Sequence, residues 1–309
     1  MKSYVIGVDV GGTNIKLGIV HSSGKIIARS HFATRSFASS KTQLIAALAG
    51  KIEAMMASEG LAKKDVAGVG IGLPGPIDHT KGIVRFLPNI PGWRNVRLKA
   101  ILQQKLKLPV LIDNDVKLIT LAEWKFGAGK GAANMVCLTL GTGIGSGLIL
   151  DGRLYRGQGN AAGELGHVPL NEQGPACNCG GFGCFEAYIG NRRLAARAGV
   201  VMGRKGTTLE EMFQLAKAGN SKALRFWQET ANHLGNGLVA VVNLLNPQLI
   251  VIGGGVANNE RFLFKTAREV VARRAMGTQS ATVKIVRAGL GNDAGIIGAL
   301  VLVNNAQKN

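Results

Sequence analysis

The chain has 309 residues, of which 46% are hydrophobic and 18% charged. This composition excludes a disordered or fibrous protein and fits two domains of ordinary size. The 37 basic and 18 acidic residues give a net charge of +19, which favours anionic partners. No basic run exceeds two residues and aromatic residues are only 5%, so we expect dispersed surface charge and no nucleic-acid groove.

No export signal or membrane span is expected. Asp9 interrupts the first apolar segment, where a signal peptide would continue without charge. The most apolar stretch, residues 237–256, is broken by Asn243, Asn246 and Pro247 and cannot cross a bilayer as one helix. The sequence therefore predicts a soluble, cytoplasmic protein without membrane contact.

Apolar periodicity predicts strands and helices that alternate along the chain, which is typical of an α/β fold. In chain order we expect strands at 5–10, 15–20 and 25–32, a helix at 42–59, a strand at 66–73 that ends at Pro74-Gly75-Pro76, a helix at 98–107, a strand at 109–112, a helix at 116–126, a strand at 135–140, a strand that ends at 253–255 and a helix at 260–274.

One element is repeated along the chain. At an offset of 130 residues, VDVGGTNIKLGIV (8–20) and LTLGTGIGSGLIL (138–150) share an apolar strand, a Gly/Thr turn and a second apolar strand. This suggests two similar lobes that each offer a turn to a ligand in the cleft between them. The alternative is two unrelated hairpins that need glycine for positive φ.

The first turn combines groups that suit phosphate binding. Backbone N–H groups freed by glycine can hold phosphate oxygens, a hydroxyl and a cation can reach the outer phosphates, and Asp9 can hold Mg²⁺ through water. The second turn and a third glycine-rich site can do the same. The candidate nucleotide-binding residues are Asp9, Gly11, Gly12, Thr13, Asn14, Lys16, Thr142, Gly143, Gly253, Gly254 and Gly255.

Asp115 is the candidate catalytic residue. It lies where a predicted strand ends and a helix begins, and a hydroxyl that accepts a phosphoryl group needs a base to take its proton. The alternative is that Asp115 only caps helix 116–126, since aspartate is a preferred N-cap. The sequence alone leaves both possibilities open.

Three cysteines and one histidine predict a zinc site. Cys177, Cys179 and Cys184 lie within eight residues, and His167 precedes them by ten. A His-Cys₃ set satisfies tetrahedral zinc with no open position, so the metal is expected to be structural. A disulfide is a poor competitor in a cytoplasmic chain, and Cys137 is expected in the core.

Glu164 and Glu186 flank the predicted zinc ligands, so a zinc loop would hold two carboxylates and an imidazole rigidly. Carboxylates accept hydrogen bonds from sugar hydroxyls; the alternative is that both glutamates are surface residues. The candidate polyol-binding set is Asn89, Asn114, Asp115, Glu164, His167 and Glu186.

Together these motifs resemble the ROK family of bacterial sugar kinases and sugar-responsive repressors. The resemblance rests on DVGGTNIK (9–16), GLPGPID (72–78), PNIPGW (88–93), DND (113–115), LGTGIGSG (140–147), GELGH (163–167) and CNCGGFGCFE (177–186), in this order over almost the whole chain.

The resemblance implies a two-lobed actin/hexokinase-like (ribonuclease H-like) fold, MgATP in the interlobe cleft and a hexose acceptor. It implies that Asp115 is the base, that Gly75 and the polyol-binding set contact sugar, and that His167 and the three cysteines bind zinc. We expect a small lobe of residues 1–115 and 291–309, a large lobe of residues 116–290, and a homodimer.

One position departs from the family pattern. The family often continues its base motif as Asp-x-Asn, whereas this chain has Lys117 at the last position. A lysine turned toward the cleft would lower the basicity of Asp115. We expect helix geometry to turn Lys117 to solvent instead.

Several functions fit the resemblance. The first is an ATP-dependent kinase that phosphorylates the 6-hydroxyl of a hexose, with glucose favoured over N-acetylglucosamine and N-acetylmannosamine. The second is a sugar-responsive regulator; such repressors carry an N-terminal helix-turn-helix domain, for which a first strand near residue 4 leaves no room. The third is an actin-like ATPase or chaperone, which has no use for a zinc-braced set of carboxylates.

Overall fold

The computed structural model describes residues 2–37, 40–87 and 92–307. By packing, the chain separates into two compact units. The first unit comprises Met1–Lys130, Leu154–Ala162 and Leu290–Asn309, and the second comprises Gly131–Arg153 and Gly163–Gly289.

The strands of the described residues fall into three sheets. They are β1 (Tyr4–Val10), β2 (Asn14–His21), β3 (Ile26–Ala33), β4 (Val66–Leu73), β5 (Ile77–Asp78), β6 (Ile83–Phe86), β7 (Arg94–Val96), β8 (Val110–Asn114), β9 (Met135–Leu140), β10 (Ile144–Leu150), β11 (Arg153–Tyr155), β12 (Leu249–Gly253) and β13 (Lys284–Arg287).

The α-helices of the described residues are α1 (Lys41–Ser58), α2 (Leu98–Leu106), α3 (Asp115–Phe126), α4 (Phe185–Ile189), α5 (Asn191–Met202), α6 (Leu209–Lys217), α7 (Ser221–Leu245), α8 (Glu260–Arg274), α9 (Gly277–Thr282) and α10 (Ala294–Ala306).

A five-stranded sheet of order β3-β2-β1-β4-β8 forms the centre of the first unit. β1 is antiparallel to β2 and parallel to β4, which is parallel to β8. Because strand residues alternate between the two faces of a sheet, Ile6 and Val8 pack in one cluster with α1 and α2, whereas Val5 packs with Ile296 and Leu300 of α10. A small antiparallel sheet of order β5-β6-β7 completes the unit.

Helix α3 belongs to the first unit by packing, whereas the predicted lobes were divided at residue 115. Leu118 and Leu121 of α3 share a buried cluster with Ala299 and Leu302 of α10. The apolar side of α3 is therefore covered within the first unit.

The second unit contains β10, β9, β12 and β13 of a sheet of order β11-β10-β9-β12-β13, which has the same pattern of connections as the first sheet. β9 is antiparallel to β10 and parallel to β12, which is parallel to β13. The predicted repeat of strand, turn and strand is confirmed. Val10 pairs with Ile15 but Leu140 pairs with Ile144, so the second turn is one residue shorter and the offset falls from 130 to 129 after it.

Most predicted elements are confirmed with small shifts at their ends. The strand at 66–73 and the helix at 260–274 have the predicted bounds, and helix 42–59 is observed one residue earlier. The sequence analysis does not predict helices α4, α5, α6, α7, α9 and α10. The apolar stretch 237–256 is interrupted as expected, because α7 ends at Leu245 and Asn246 takes a left-handed conformation.

Within the described residues, none of the helices combines the length and the apolar character that crossing a membrane requires.

Candidate functional site

The first glycine-rich turn joins β1 to β2 and is closed by a hydrogen bond from Gly11 N to Asn14 O at 3.0 Å. Thr34, which is buried, anchors the turn: its Oγ1 donates to Gly11 O at 2.8 Å and its N–H donates to Thr13 O at 2.9 Å. Gly12, Thr13 and Asn14 are exposed. A fixed backbone with an exposed tip suits the predicted role in phosphate binding.

Asp9 and Lys16 flank this turn and are paired across the β1–β2 ladder. Burial raises the pKa of Asp9 above its usual value, and the Lys16 ammonium acts in the opposite direction. A carboxyl that has lost hydration gains from a nearby cation. The pair therefore suits a site for a divalent cation and phosphate, as the sequence predicts.

Gly75, Asn114 and Asp115 lie at the same edge of the sheet of the first unit, because β1, β4 and β8 are parallel and end together. Leu73 pairs with Asn114 at the last position of the β4–β8 ladder. Asn114 Nδ2 donates to Gly75 O at 3.3 Å, and Asp115 follows as the first residue of α3. The carboxyl ends of parallel strands are the usual place for ligands in such sheets.

Asn114, not Asp115, caps helix α3. Asn114 Oδ1 accepts hydrogen bonds from Val116 N at 3.1 Å and Lys117 N at 3.4 Å. The N-cap position is therefore occupied by Asn114, and Asp115 is the first residue of the helix. Asp115 is half-buried, and its Oδ1 accepts from Val116 N at 2.9 Å.

A buried ion pair between Asp113 and Arg156 directly precedes the Asn114–Asp115 segment and holds it in place. Asp113 is only 1% exposed, and its Oδ2 accepts from Nε and Nη2 of Arg156 at 2.9 and 2.7 Å. Its other oxygen, Oδ1, accepts from Asn114 N at 2.8 Å. Nδ1 of His79 lies 3.6 Å from Oδ2, and burial lowers the pKa of this imidazole. Asp113 thus fixes the backbone immediately before the candidate base.

Removal of the Arg156 guanidinium tests how much its ion pair with Asp113 stabilises the fold. We expect Arg156→Ala to lower the free energy of unfolding by about 3 kcal/mol, because it leaves a buried carboxylate without its main partner. The exposed Arg153 is a matched control, and Arg153→Ala should stay within about 0.5 kcal/mol of the wild type. The midpoints of chemical unfolding measure both changes, and equal midpoints for the two variants would contradict the assignment.

The expectation that Lys117 points to solvent is wrong. Its side chain is buried, with 4% of the residue exposed, and Nζ donates to Asn160 O at 2.5 Å. Asn160 lies on the segment Leu154–Ala162, which also carries Arg156, and this segment covers the lysine. Two cations of the first unit, Lys117 and Arg156, therefore attach this segment to the strand and helix that carry Asp115.

The second glycine-rich turn is held at both ends by residues of the second unit. Gly141 N donates to Gly143 O at 2.9 Å, and Asn191 N at the start of α5 donates to Gly141 O at 2.9 Å. Ile144 N, at the other end, donates to Glu186 Oε2 at 2.8 Å. Thr142 lies at the centre of this turn, as predicted.

The glycine triplet lies beside the second turn, because β9 and β12 are parallel and Gly253 pairs with Thr139. Gly254 has a φ of +90°, and a side chain there would overlap the backbone of Leu140. Glycine is therefore required at this position. Gly253 and Gly254 thus lie beside Thr139 and Leu140, immediately before the second turn.

A cavity of about 600 Å³ opens next to the second turn. Asn191, whose backbone N–H holds the turn, also lines the cavity, together with α5 and the start of α6. The remaining lining residues are Ala195, Ala196, Gly206, Thr207, Thr208 and Leu209.

The predicted zinc ligands are brought together. One ligand atom from each of His167, Cys177, Cys179 and Cys184 lies within 4.8 Å of all the others. Nδ1 of His167 is 3.7 Å from Cys177 Sγ, and the sulfurs of Cys179 and Cys184 are 3.6 Å apart. Three sulfurs and one imidazole nitrogen converging on one point fit tetrahedral zinc.

The electrostatics of the thiols also suit a metal. The N–H of Gly181 and the neighbouring thiols lower the pKa of Cys179 to about 7, whereas burial raises the pKa of Cys184 to about 12. Close thiols resist losing several protons without a compensating cation. A divalent metal would supply that charge, since thiolates are its ligands. Cys137 is buried in β9, apart from this set, as predicted.

The remaining candidates for sugar binding are placed as follows. Glu164 is exposed and directly precedes the short 3₁₀ turn Leu165–His167, and His167 N donates to Glu164 O at 3.0 Å. Nδ1 of His167 faces the cysteines, which leaves Nε2 on the other side of the ring. Asn89 lies outside the described residues.

Some supporting residues were not predicted. Arg156 is 43 residues from Asp113 in sequence, and Thr34 is 23 residues from Gly11. Neither belongs to a motif, so only the folded chain shows them. Asp113 could have been suspected, because it directly precedes the candidate pair Asn114–Asp115.

The sequence model of the ROK family matches residues 5–306. A glucokinase from Halalkalibacterium halodurans is 34% identical over 99% of this chain and 96% of that protein. A xylose repressor from Caldicellulosiruptor bescii is 31% identical over 97% of this chain and 77% of that protein.

Solved structures agree with these relatives. The ROK hexokinase from Thermus thermophilus has a TM-score of 0.86 and 33% identity, covering 99% of this chain and 100% of that one. A ROK family glucokinase from Streptomyces griseus, solved in complex with glucose and AMPPNP, has a TM-score of 0.78 and 32% identity, covering 98% and 99%. The predicted α/β fold of the actin/hexokinase type is confirmed, and the chain belongs to the ROK family.

Proposed function

We propose that this chain is an ATP-dependent hexose kinase that transfers the γ-phosphoryl group of MgATP to the 6-hydroxyl of a sugar, with glucose as the preferred acceptor. The observation that carries the proposal is Asp115, a half-buried carboxylate at the carboxyl ends of the parallel strands β1, β4 and β8, next to Asn114, which is the N-cap of α3. The glucokinase relatives support the same activity.

In the proposed reaction, Asp115 accepts the proton of the sugar 6-hydroxyl as that oxygen attacks the γ-phosphorus. The bond from the γ-phosphorus to the bridging oxygen breaks, and ADP leaves with the electron pair. General-base catalysis of this kind contributes about 10²–10⁴-fold in rate. The ion pair of Asp113 and Arg156 holds the backbone that carries the base, so the carboxylate needs little reorganisation.

The two glycine-rich turns would bind the phosphates. Backbone N–H groups of Gly12, Thr142 and Gly143 would contact phosphate oxygens, with Gly11 closing the first turn and Lys16 as a nearby cation. Mg²⁺, when bound through water by Asp9, supplies charge neutralisation at the β- and γ-phosphates. The cavity beside the second turn has room for the nucleoside.

The sugar would be bound through hydrogen bonds to its hydroxyl groups. Asn114 would donate its second Nδ2 hydrogen to a sugar oxygen, because the first donates to Gly75 O and Oδ1 accepts from the helix that Asn114 caps. We propose the same role for Gly75, Asn89, Glu164, His167 and Glu186, with Nε2 of His167 as its sugar-binding atom. Zinc held by His167, Cys177, Cys179 and Cys184 would fix this loop and take no part in the chemistry.

A coupled assay of ADP release over a panel of hexoses tests the proposal. We expect turnover with glucose to exceed turnover with N-acetylglucosamine, N-acetylmannosamine, fructose and allose. Faster turnover with an N-acetylhexosamine would support the kinase activity but would replace glucose as the proposed acceptor. ADP release that no sugar accelerates would contradict the proposal and favour an ATPase.

The repressor relative supports a second candidate, a sugar-responsive regulator that binds sugar without phosphorylating it. Sugar binding in calorimetry together with no ADP release would favour this candidate.

We further propose that the protein forms a homodimer, does not bind nucleic acid, and acts in the cytoplasm. The cytoplasm supplies the ATP that a kinase needs, and its reducing conditions keep neighbouring cysteines from forming disulfides.

A further inference from the structure

Glu186 makes a contact that sugar binding does not explain. It is the second residue of α4 and is half-buried, and its Oε2 accepts a hydrogen bond from Ile144 N at 2.8 Å. Ile144 is the first residue of β10, so its N–H lies directly after the turn Gly141–Gly143. The carboxylate therefore contacts the backbone of the turn that we propose for phosphate binding.

The fit between this carboxylate and the turn is tight. A side chain at Gly143 would overlap the carboxyl group of Glu186, so only glycine can occupy the position while the carboxylate stays in place. The opposite end of the turn is held from the same part of the chain, because Asn191 N donates to Gly141 O at 2.9 Å. The short segment from Glu186 to Asn191 thus fixes both ends of the turn.

The first turn is held differently. Thr34 contacts Gly11 O and Thr13 O through its hydroxyl and its backbone N–H, both neutral groups. Only the second turn, of the two, is held by a carboxylate in the described structure. A carboxylate near a phosphate site repels the phosphate, and a charge-assisted hydrogen bond to a backbone N–H turns Oε2 toward the protein and holds the backbone in one geometry.

We propose that Glu186 is a positioning residue for the nucleotide-binding turn Gly141–Gly143, in addition to its proposed contact with sugar through Oε1. This inference rests on the proposed function, since it takes the turn as the phosphate site. It makes Glu186 part of both substrate sites: Oε2 orders the turn for ATP, and Oε1 would accept a hydrogen bond from the sugar.

The affinity for AMPPNP in the absence of sugar tests the inference. Loss of one charge-assisted hydrogen bond that orders the turn should weaken AMPPNP binding about tenfold in Glu186→Ala. Glu186→Gln keeps an oxygen acceptor and should lose less. Gly143→Ala should weaken AMPPNP binding while leaving the carboxylate present. Glu172→Ala, a change at an exposed glutamate of the same loop region, is the matched control and should bind as the wild type does.

Thermal unfolding and the metal content of each variant show whether the fold is retained. An AMPPNP affinity of Glu186→Ala within twofold of the wild type, with only the glucose affinity reduced, would overturn the inference. Equal losses in Glu186→Ala and Glu186→Gln, with Gly143→Ala unchanged, would also overturn it. A wild-type chain that binds no AMPPNP would contradict the proposed function itself, which distinguishes the two failures.

Discussion

Asp115→Asn should lower kcat for sugar phosphorylation by about 10²–10⁴-fold and leave the sugar Kd within a few-fold of the wild type. The amide has the same shape as the carboxyl group and can still hydrogen-bond to a hydroxyl, but it cannot take a proton at neutral pH. Asn114 continues to cap α3, so the substitution should not disturb the helix. Steady-state kinetics and calorimetry with the sugar measure the two quantities separately.

A second aspartate provides the control for this substitution. Asp151 is exposed and has a φ of +49°, a conformation that asparagine also tolerates. Asp151→Asn should therefore keep the wild-type kcat. Near-normal turnover in Asp115→Asn would remove the proposed base.

Cys179→Ala should lower bound zinc from about one ion per chain to well below half. Because structural zinc contributes its binding energy to folding, losing one of four ligands should lower the Tm by about 5–15 °C. Elemental analysis of the purified protein measures the metal, and calorimetry measures the Tm. The sugar affinity should fall as well, because Glu164 and His167 lie on the loop that the metal would hold.

Cys137 distinguishes loss of a ligand from loss of a buried thiol. Cys137→Ala removes a buried sulfur from β9 and should cost some stability by packing while the zinc content stays unchanged. Full zinc content in Cys179→Ala would contradict the proposed ligand set.

The sequence predicts local features of this protein well. The apolar run 66–73 becomes β4 with the same bounds, and the repeat of strand, turn and strand is seen in both units. The His-Cys₃ spacing brings its four ligands together. These features depend on periodicity and short spacing, which a single sequence displays directly.

The wrong prediction and the contacts that the sequence does not predict depend on residues that are distant in sequence and close in the fold. Helix geometry alone predicts that Lys117 points to solvent, but the segment that carries Asn160 covers the lysine and supplies a carbonyl acceptor. The contacts of Arg156 with Asp113 and of Glu186 with Ile144 join residues 43 and 42 positions apart. No local pattern encodes such a separation, so only the folded chain shows which groups support the candidate site.

The most direct test of the account identifies the product of the reaction. ³¹P NMR of the wild-type protein with ATP, Mg²⁺ and glucose should show a phosphate monoester on the carbon-6 oxygen of the sugar, formed in equal amount with ADP. Inorganic phosphate in place of the ester, or unchanged ATP, would contradict the central claim that this chain phosphorylates a hexose.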